Sequence, residues 1–317
     1  MRKILVTGAL GQIGSELVML LREKYGNENV VATNRSKKEG HDELYNSGPF
    51  ELLDIRDKEK TVELVEKYEI NTIINLAAIL SAVGEARPQD CWDINMNGLY
   101  NMLEIAREKE IMLFTPSSIA AFGPSTPKEK TPQDTIQRPS TMYGVTKVAG
   151  EILCDYYYQR FGTDTRGVRF PGLISYETLP GGGTTDYAVH IYYEAIKNKK
   201  YTSFIAPGTK MDMMYMPDAL EAIVDLMEAD GDKLVHRNAF NITAMSFTPE
   251  EIAASIKKFI PEFEIDYEVD PVRQAIADSW PDSLDDTCAR EEWGFNPKYD
   301  LDKMTEDMLN KLREKLK

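Results

Sequence analysis

The stretch KILVTGALGQIG, residues 3–14, joins a short apolar run directly to three glycines with the spacing Gly-x-x-Gly-x-x-Gly. The run Lys3–Thr7 predicts a buried strand, and the residues after Gly14 have the 3.6-residue apolar period of a helix. Glycine permits a tight turn and a close backbone approach to an anion, which the N-terminus of the following helix attracts. Gly8, Gly11 and Gly14 therefore predict a dinucleotide-binding turn between the first strand and the first helix.

Short apolar runs alternate with helical patterns through the first half of the chain. This alternation predicts right-handed crossovers and an α/β fold built on a doubly wound, parallel Rossmann sheet. An apolar stripe from Trp92 through Met96, Leu99 and Leu103 to Ala106 predicts a long helix after the fourth strand. The predicted strands are Lys3–Thr7, Val30–Thr33, Phe50–Leu53, Thr72–Leu76, Met112–Thr115 and Thr165–Phe170.

The alternation ends after Phe170, where PGLISYETLPGGGTTD, residues 171–186, has no apolar period. A loop of this length and composition is typical of a binding loop or a lid. Helices are predicted again from residues 187, 217 and 248, and a short strand is predicted near Thr202–Ile205. Asn241–Thr243 is predicted to return to the main sheet. We therefore expect a Rossmann domain over 1–171, with later returns near 210–245, and a smaller substrate-binding lobe mainly over 172–317.

Charge and composition narrow the class of protein. The 317 residues include 37 Lys and Arg against 52 Asp and Glu, a net charge of −15, which disfavours nucleic acid or an anionic membrane as a partner. The 3 cysteines and 3 histidines are scattered without metal-site spacing, so no protein-held metal is expected. No apolar run approaches the length of a membrane span. A cytoplasmic protein in a reducing compartment is expected.

Polar residues at later strand ends extend the predicted dinucleotide site. Asn34 and Arg35 end the second strand, where an acid usually binds the adenosine ribose diol. Asn can still bind the diol, whereas Arg35 could attract a 2′-phosphate. Asp54, after the third strand, is placed to accept a bond from the adenine amino group, although a strand-end or helix-cap role is equally compatible. Asn95 is a further candidate for a polar cofactor contact.

Tyr143 and Lys147 are four residues apart in a helix predicted over Thr141–Tyr156. They therefore share one helix face. The Lys147 ammonium would stabilise the tyrosinate, so Tyr143 could act as a general base toward an alcohol. The pair Ser117-Ser118, at the end of the preceding strand, supplies a hydroxyl that could hold the substrate oxygen.

Several motifs together resemble a known family. TGALGQIG (7–14), NLAA (75–78), PSSIAAFG (116–123) and YGVTK (143–147) resemble the extended short-chain dehydrogenase/reductase superfamily. With RFPGLIS, PGGGTTDYAV, DSWPDSLDD and EEWGFNPKYDL, the resemblance narrows to short-chain L-threonine 3-dehydrogenases and spans about residues 4 to 304.

This resemblance implies NAD-dependent oxidation of L-threonine at the 3-hydroxyl group to 2-amino-3-oxobutyrate, by a homodimer. Tyr143 would be the base, Lys147 would position the nicotinamide ribose and Ser118 would bind the reacting hydroxyl. Cofactor contacts are implied for Gly8, Gly11, Gln12, Ile13, Gly14, Asn34, Arg35, Asp54, Ile55, Leu76, Ala77, Ala78, Tyr143, Lys147 and Leu173. Substrate contacts are implied for Ser81, Ser118, Tyr143, Thr184, Thr185, Asp186 and Trp280.

The chain departs from the family's sequence pattern at two positions, and two alternative functions are open. The family often has Asp where this chain has Asn34, and some members have Thr where it has Ser118. One alternative is a nucleotide-sugar epimerase or dehydratase on the same scaffold. The other is a catalytically silent dinucleotide-binding protein, against which the intact set of Tyr143, Lys147 and Ser118 argues.

Overall fold

A parallel sheet forms the centre of the N-terminal part of the protein. The computed structural model describes residues 1–178 and 183–317. The strands of this part are β1 (Ile4–Thr7), β2 (Val30–Asn34), β3 (Phe50–Leu52), β4 (Thr72–Asn75), β5 (Met112–Phe114), β6 (Ser117–Ser118), β7 (Thr165–Arg166), β8 (Val168–Phe170) and β9 (Gly172–Ile174). Six of them pair in the order β3-β2-β1-β4-β5-β7, and all of these pairs are parallel.

Helices cover both faces of this sheet. They are α1 (Gln12–Tyr25), α2 (Asp42–Ser47), α3 (Lys58–Lys67), α4 (Ser81–Ala86), α5 (Pro88–Trp92), α6 (Gly98–Lys109) and α7 (Met142–Phe161). Leu17 of α1 packs in a core on one face, and Leu64 of α3 with Leu103 of α6 packs in a core on the other. The predicted doubly wound α/β fold is confirmed.

The strand order reverses between β1 and β4, which are neighbours although β2 and β3 separate them in the chain. At such a switch point the connections leave the sheet in opposite directions, so a crevice opens at the carboxyl ends of the strands. The glycine turn follows β1, and Leu76, Ala77 and Ala78 follow β4. The fold thus places both segments at the edge of this crevice.

Two sequence-based expectations for the sheet are wrong in detail. The strand predicted over Thr165–Phe170 is split at Gly167, where a Cβ atom would lie 2.4 Å from the Thr115 carbonyl oxygen. Beyond this point β8 pairs with β6 and with β12 (Phe240–Asn241) in a separate small sheet. The predicted return at Asn241–Thr243 therefore joins this small sheet, because β8 has already left the six-stranded one.

The helix after β4 also differs from its prediction. It is divided into α5, a π-helical segment Asp93–Asn97 and α6. Met96, Leu99, Leu103 and Ala106 are buried, whereas Trp92 is 45% exposed. The extra residue in the π-helical turn rotates the helix, so Trp92 leaves the buried stripe.

The C-terminal part of the described chain has its own core. Its strands are β10 (Lys200–Ser203), β11 (Met211–Tyr215), β12 (Phe240–Asn241), β13 (Met245–Phe247) and β14 (Glu264–Tyr267). Its helices are α8 (Tyr187–Asn198), α9 (Met216–Glu228), α10 (Pro249–Lys257), α11 (Pro271–Ser279), α12 (Thr287–Trp293) and α13 (Leu301–Lys315). Tyr187, Tyr192, Ile256 and Met308 belong to one buried cluster between α8, α10 and α13.

Two strands after residue 171, β9 and β10, modify the expectations from sequence. β9 lies in the stretch that was predicted as a loop and pairs with β11. β10 begins two residues before its predicted start at Thr202, and it pairs with β14. In residues 1–178 and 183–317, every helix is too short or too polar to cross a membrane. The domain division at residue 171 stays a prediction.

Candidate active site

The glycine turn is shaped by close backbone contacts. Gly8 has φ +66°, and a Cβ atom there would lie 2.8 Å from the backbone nitrogen of Ala77. A Cβ atom on Gly14 would lie 2.3 Å from the carbonyl oxygen of Gly8. Gly11 precedes α1, so the first N–H groups of this helix point out of its N-terminus, which favours an anion. This cradle, whose close backbone contacts leave no room for a side chain at Gly8 or Gly14, fits the pyrophosphate of a dinucleotide.

A cavity of about 280 Å³ opens in front of this turn. It extends from the glycine turn to Tyr143 and Trp280, so it joins the predicted cofactor and substrate regions. The predicted site residues on its wall are Gly8, Gly11, Gln12, Ile13, Gly14, Leu76, Ala78, Ser81, Ser118, Tyr143, Lys147, Leu173, Thr184, Thr185, Asp186 and Trp280. Sequence reasoning assigned no contact to other wall residues, which contribute apolar side chains or backbone: Leu80, Ala82, Val83, Ile119, Ala120, Phe170, Pro171 and Gly172.

Tyr143 and Lys147 lie on one face of α7 as predicted. The hydroxyl of Thr141 accepts a hydrogen bond from the Gly144 backbone N–H at 3.1 Å and so caps the start of this helix. Lys147 Nζ lies 5.2 Å from the centre of the Tyr143 ring and donates a hydrogen bond to the Pro116 carbonyl at 2.6 Å. The ammonium is thereby held at the cavity wall beside the phenol.

The two serines of β6 have different surroundings, since successive strand residues point to opposite sides. The Ser117 hydroxyl donates a hydrogen bond to the Glu151 carboxylate, which is buried. Arg169 binds both oxygens of that carboxylate, at 3.0 and 2.8 Å. Ser118 borders the cavity and accepts a hydrogen bond from the Ala120 N–H at 3.2 Å. The buried ion pair therefore fixes the strand that presents Ser118 to the cavity.

The predicted adenosine region lies outside this cavity wall. The Asn34 amide donates to the Ser36 carbonyl at 2.8 Å, and it has a second N–H and an oxygen with which it can bind a diol. Lys38, which no motif identified, donates to the Leu10 carbonyl of the glycine turn at 3.2 Å. Together with Arg35, this side chain brings positive charge to the adenosine side of the turn.

Asp54 is held by Arg56. Its two carboxylate oxygens accept hydrogen bonds from the guanidinium at 3.0 and 2.7 Å, and these bonds lower the pKa of Asp54. The cap of α3 is Asp57, which accepts a bond from the Lys60 N–H at 2.9 Å, so Asp54 is not a helix cap. Ile55, the next residue, is buried against Gly98. A contact of Asp54 or Ile55 with adenine stays a prediction.

Asn95 lies in the π-helical segment and holds the backbone behind the cavity. Its side chain accepts a bond from the Ile79 N–H at 2.8 Å and donates to the Ile79 carbonyl at 3.0 Å. It also donates to the Thr146 hydroxyl at 3.1 Å. With Ala77 it lines a smaller cavity next to Lys147. Asn95 thus positions the segment after β4, and its direct contact with a cofactor stays a prediction.

Residues 183–186, at the end of the predicted binding loop or lid, border the cavity. Residues 179–182, which include Pro180, Gly181 and Gly182, lie outside the described residues. Thr184–Asp186 form a 3₁₀ turn before α8, and the Asp186 carboxylate accepts a hydrogen bond from the Gly183 N–H at 2.5 Å. This bond closes the 3₁₀ turn at its start. Thr184 and Thr185 are wall residues of the cavity.

Trp280 borders the cavity and shares a buried cluster with Tyr143 and Leu284. Leu284 is tied to β11 by its N–H, which donates to the Asp212 carboxylate at 2.7 Å. Asp212 is 1% exposed, and its burial raises the pKa of this carboxyl group to about 8. This interaction connects the C-terminal segment with Trp280 to the strand that pairs with β9.

Comparison with known proteins agrees with this geometry. The model of the NAD dependent epimerase/dehydratase family matches residues 4–243. The structure of L-threonine dehydrogenase from Clostridium difficile is 68% identical, with a TM-score of 0.98 over 99% of this chain and 98% of that one. An apo structure of a monomeric L-threonine 3-dehydrogenase from a metagenome is 48% identical, with a TM-score of 0.93 over 99% and 100%. A protein of Staphylococcus haemolyticus named an uncharacterized epimerase/dehydratase is 61% identical over 99% of both chains. The chain belongs to the NAD-dependent epimerase/dehydratase family, within the extended short-chain dehydrogenases/reductases.

Proposed function

We propose that the protein catalyses the NAD-dependent oxidation of L-threonine at its 3-hydroxyl group, giving 2-amino-3-oxobutyrate. The observation that carries this proposal is that Tyr143, Ser118 and Thr185 line the same cavity as the glycine turn. The similarity to solved L-threonine dehydrogenases over nearly the whole chain also supports it.

Each side chain has a chemical task in this reaction. Tyr143 removes the proton of the 3-hydroxyl group, and the Ser118 hydroxyl binds the same oxygen. Lys147, held by the Pro116 carbonyl, stabilises by its positive charge the tyrosinate form of Tyr143, which accepts this proton and becomes the neutral phenol. NAD, which the turn of Gly8, Gly11 and Gly14 would hold, would supply the oxidising power by accepting the hydride of the substrate's Cβ. Proton and hydride together account for the two hydrogens that the alcohol loses.

The polar wall opposite Tyr143 suits a small amino acid. Thr184 and Thr185 stand at the beginning of a helical turn, where hydroxyl and N–H groups can bind the substrate carboxylate. Asp186 and Ser81 are wall residues that can accept hydrogen bonds from the ammonium group. Trp280 is 8% exposed and excludes water from this side. We propose that these residues select L-threonine.

The surface of α6 and α7 supports a homodimer. Tyr100 is 50% exposed, and Ile152 and Tyr156 on α7 are 62% and 51% exposed. An apolar face of this kind is typical of an interface. We propose that two copies pack through it, although one similar enzyme is described as monomeric. The 3 free cysteines fit the proposed cytoplasmic location.

The reaction is tested by following reduced nicotinamide spectrophotometrically with L-threonine and either NAD or NADP. We expect reduction with L-threonine, loss of carbon dioxide from the product to give aminoacetone, and strongly reduced turnover in the Tyr143→Phe control. A nucleotide-sugar epimerase would instead retain stoichiometric nicotinamide during purification and would interconvert a UDP-sugar. Absence of L-threonine oxidation together with UDP-sugar epimerisation would overturn the proposal.

A further inference from the structure

A second group of chemically active side chains lies outside the cavity, between α12 and the segment before β12. Cys288 and Glu292 are four residues apart on one face of α12, and His236 lies opposite them. One nitrogen, one sulfur and one oxygen atom of these residues all lie within 4.8 Å of one another. None of the three is on the wall of the candidate active site.

Glu292 orients the imidazole of His236. One of its carboxylate oxygens is hydrogen-bonded to His236 Nδ1. The other accepts bonds from the backbone N–H groups of Val235 at 2.6 Å and His236 at 3.0 Å. Because a carboxylate accepts hydrogen bonds, the proton of the neutral ring is on Nδ1 and the lone pair is on Nε2. Metal-binding histidines commonly have such a carboxylate partner.

His236 Nε2, which carries the lone pair, lies near a sulfur atom and a carboxylate oxygen, two further kinds of atom that bind metal ions. Nε2 lies 4.0 Å from Cys288 Sγ and 3.7 Å from a carboxylate oxygen of Asp134. In a tetrahedral zinc site, bond lengths of about 2.3 Å to sulfur and 2.0 Å to nitrogen separate these two atoms by about 3.6 Å. A decrease of a few tenths of an ångström in the distance between His236 Nε2 and Cys288 Sγ would therefore allow both atoms to bind one zinc ion. The Asp134 side chain is 92% exposed and can make this adjustment.

The electrostatic field around the thiol favours a cation. The carboxylates of Glu292, Asp285, Asp134 and Glu291 surround the Cys288 thiol with negative charge. This field disfavours a bare thiolate, as a nucleophilic Cys–His–Glu arrangement would require. A divalent cation would compensate the carboxylates and stabilise the thiolate as its ligand.

We propose that His236 Nε2, Cys288 Sγ and the Asp134 carboxylate form a binding site for a thiophilic divalent cation such as Zn²⁺, with Glu292 as the orienting carboxylate. Nitrogen and thiolate ligands select such ions over Mg²⁺ or Ca²⁺. The bound ion would connect α12 to the segments before β12 and around Asp134, which are distant in sequence. Sequence spacing did not reveal the site because only the pair on α12 has local spacing.

The test uses full-length protein freed of metal by a chelator and titrated with Co²⁺ and then with Zn²⁺. We expect a thiolate-to-Co²⁺ charge-transfer absorption that Zn²⁺ abolishes by displacement, and a Tm that rises with Zn²⁺. Cys288→Ser should remove the absorption, and both Cys288→Ser and His236→Gln should weaken Zn²⁺ binding at least tenfold. Glu291→Gln, a carboxylate change on the same helix, should retain the absorption.

Two results would overturn the proposal. The first is an affinity for Zn²⁺ that Cys288→Ser and His236→Gln leave unchanged. The second is a wild-type protein whose Co²⁺ spectrum lacks the thiolate band. If the metal-free Cys288→Ser variant unfolds, protection of the Cys288 thiol of the wild type from a thiol reagent by Zn²⁺ decides the question. The dehydrogenase assay does not enter this test, so the two proposals can fail separately.

Discussion

The buried carboxyl group of Asp212 accepts a hydrogen bond from the Leu284 backbone N–H at 2.7 Å and so ties β11 to the segment that carries Trp280. With a folded-state pKa of about 8 against an ordinary value of 3.8, Asp212 is protonated at neutral pH in the folded protein and ionised in the unfolded chain. Its contribution to stability is therefore fully present below about pH 4 and is lost as pH rises toward 8.

We expect the free energy of unfolding to fall between pH 6 and pH 9 by up to about 3 kcal/mol through Asp212, since two pH units below its pKa correspond to about this amount. Asp212→Asn retains an oxygen that can accept from Leu284 and should show a flatter pH profile in denaturant titrations. Asp266→Asn, on the exposed strand β14, serves as the control and should keep the wild-type slope. Equal slopes for Asp212→Asn and wild type would contradict the role of Asp212.

Tyr143→Phe should lower kcat by about 10²–10⁴-fold, the range for loss of a general acid–base group. The dissociation constant for NAD should change little, because the ring remains in the cluster with Trp280. Steady-state kinetics with L-threonine and fluorescence titration with NAD measure the two effects. Tyr156→Phe, an exposed tyrosine of the same helix, should retain wild-type activity. A Tyr143→Phe enzyme within a few-fold of wild type would exclude this residue as the base.

The wild type should prefer NAD to NADP, and Asn34→Asp should increase this preference by about tenfold, equivalent to about 1.4 kcal/mol. A carboxylate there would repel a 2′-phosphate, whereas Asn34 with Arg35 and Lys38 nearby does not. The ratio of kcat/KM for the two cofactors measures the effect, and Asn27→Asp, between α1 and β2, is the control. A wild type with the higher kcat/KM for NADP would show the cofactor proposal to be wrong.

Thr185→Ala should raise KM for L-threonine by about tenfold through loss of a hydrogen bond to a charged group, while NAD binding stays unchanged. Gly172→Ala should act in the same direction, because its Cβ atom would lie 2.6 Å from Thr185 Cγ2 and 2.3 Å from Met213 Sδ. Thr202→Ala, on exposed β10, is the matched control in the kinetic assay. Unchanged KM in both cavity variants would remove Thr185 from the substrate site.

Ile152→Glu should convert a dimer to a monomer, since it places a charge in the proposed apolar interface on α7. Light scattering coupled to size-exclusion chromatography gives the mass directly. Val272→Glu alters a side chain that is 69% exposed on α11 and should leave the mass unchanged. A wild-type protein that is monomeric at micromolar concentration would refute the dimer.

The parts of the site that are formed by residues close together in the sequence could be predicted, because their geometry depends only on short distances along the chain. A strand, a glycine turn and a helix follow one another in residues 3–25, so the three glycines alone indicate the cradle. Tyr143 and Lys147 share a face in any helix, and Thr141 caps that helix within one turn. The strand bounds were predicted to within about one residue in most of the central sheet, since buried parallel strands are continuous apolar runs.

Other features were decided by tertiary structure. The chain leaves the six-stranded sheet at Gly167, where the Thr115 carbonyl just after β5 leaves no room for a Cβ atom, and no local pattern marks that contact. Asn95 has a residue type suited to a cofactor, yet its amide binds the backbone of Ile79. Asp212 meets Leu284, and His236 meets Cys288, across more than 50 residues of sequence. Sequence thus determined the helices and strands and the motifs that lie within one turn or strand. The packing of distant segments decided which polar groups meet, because a buried polar group is stable only when it is hydrogen-bonded.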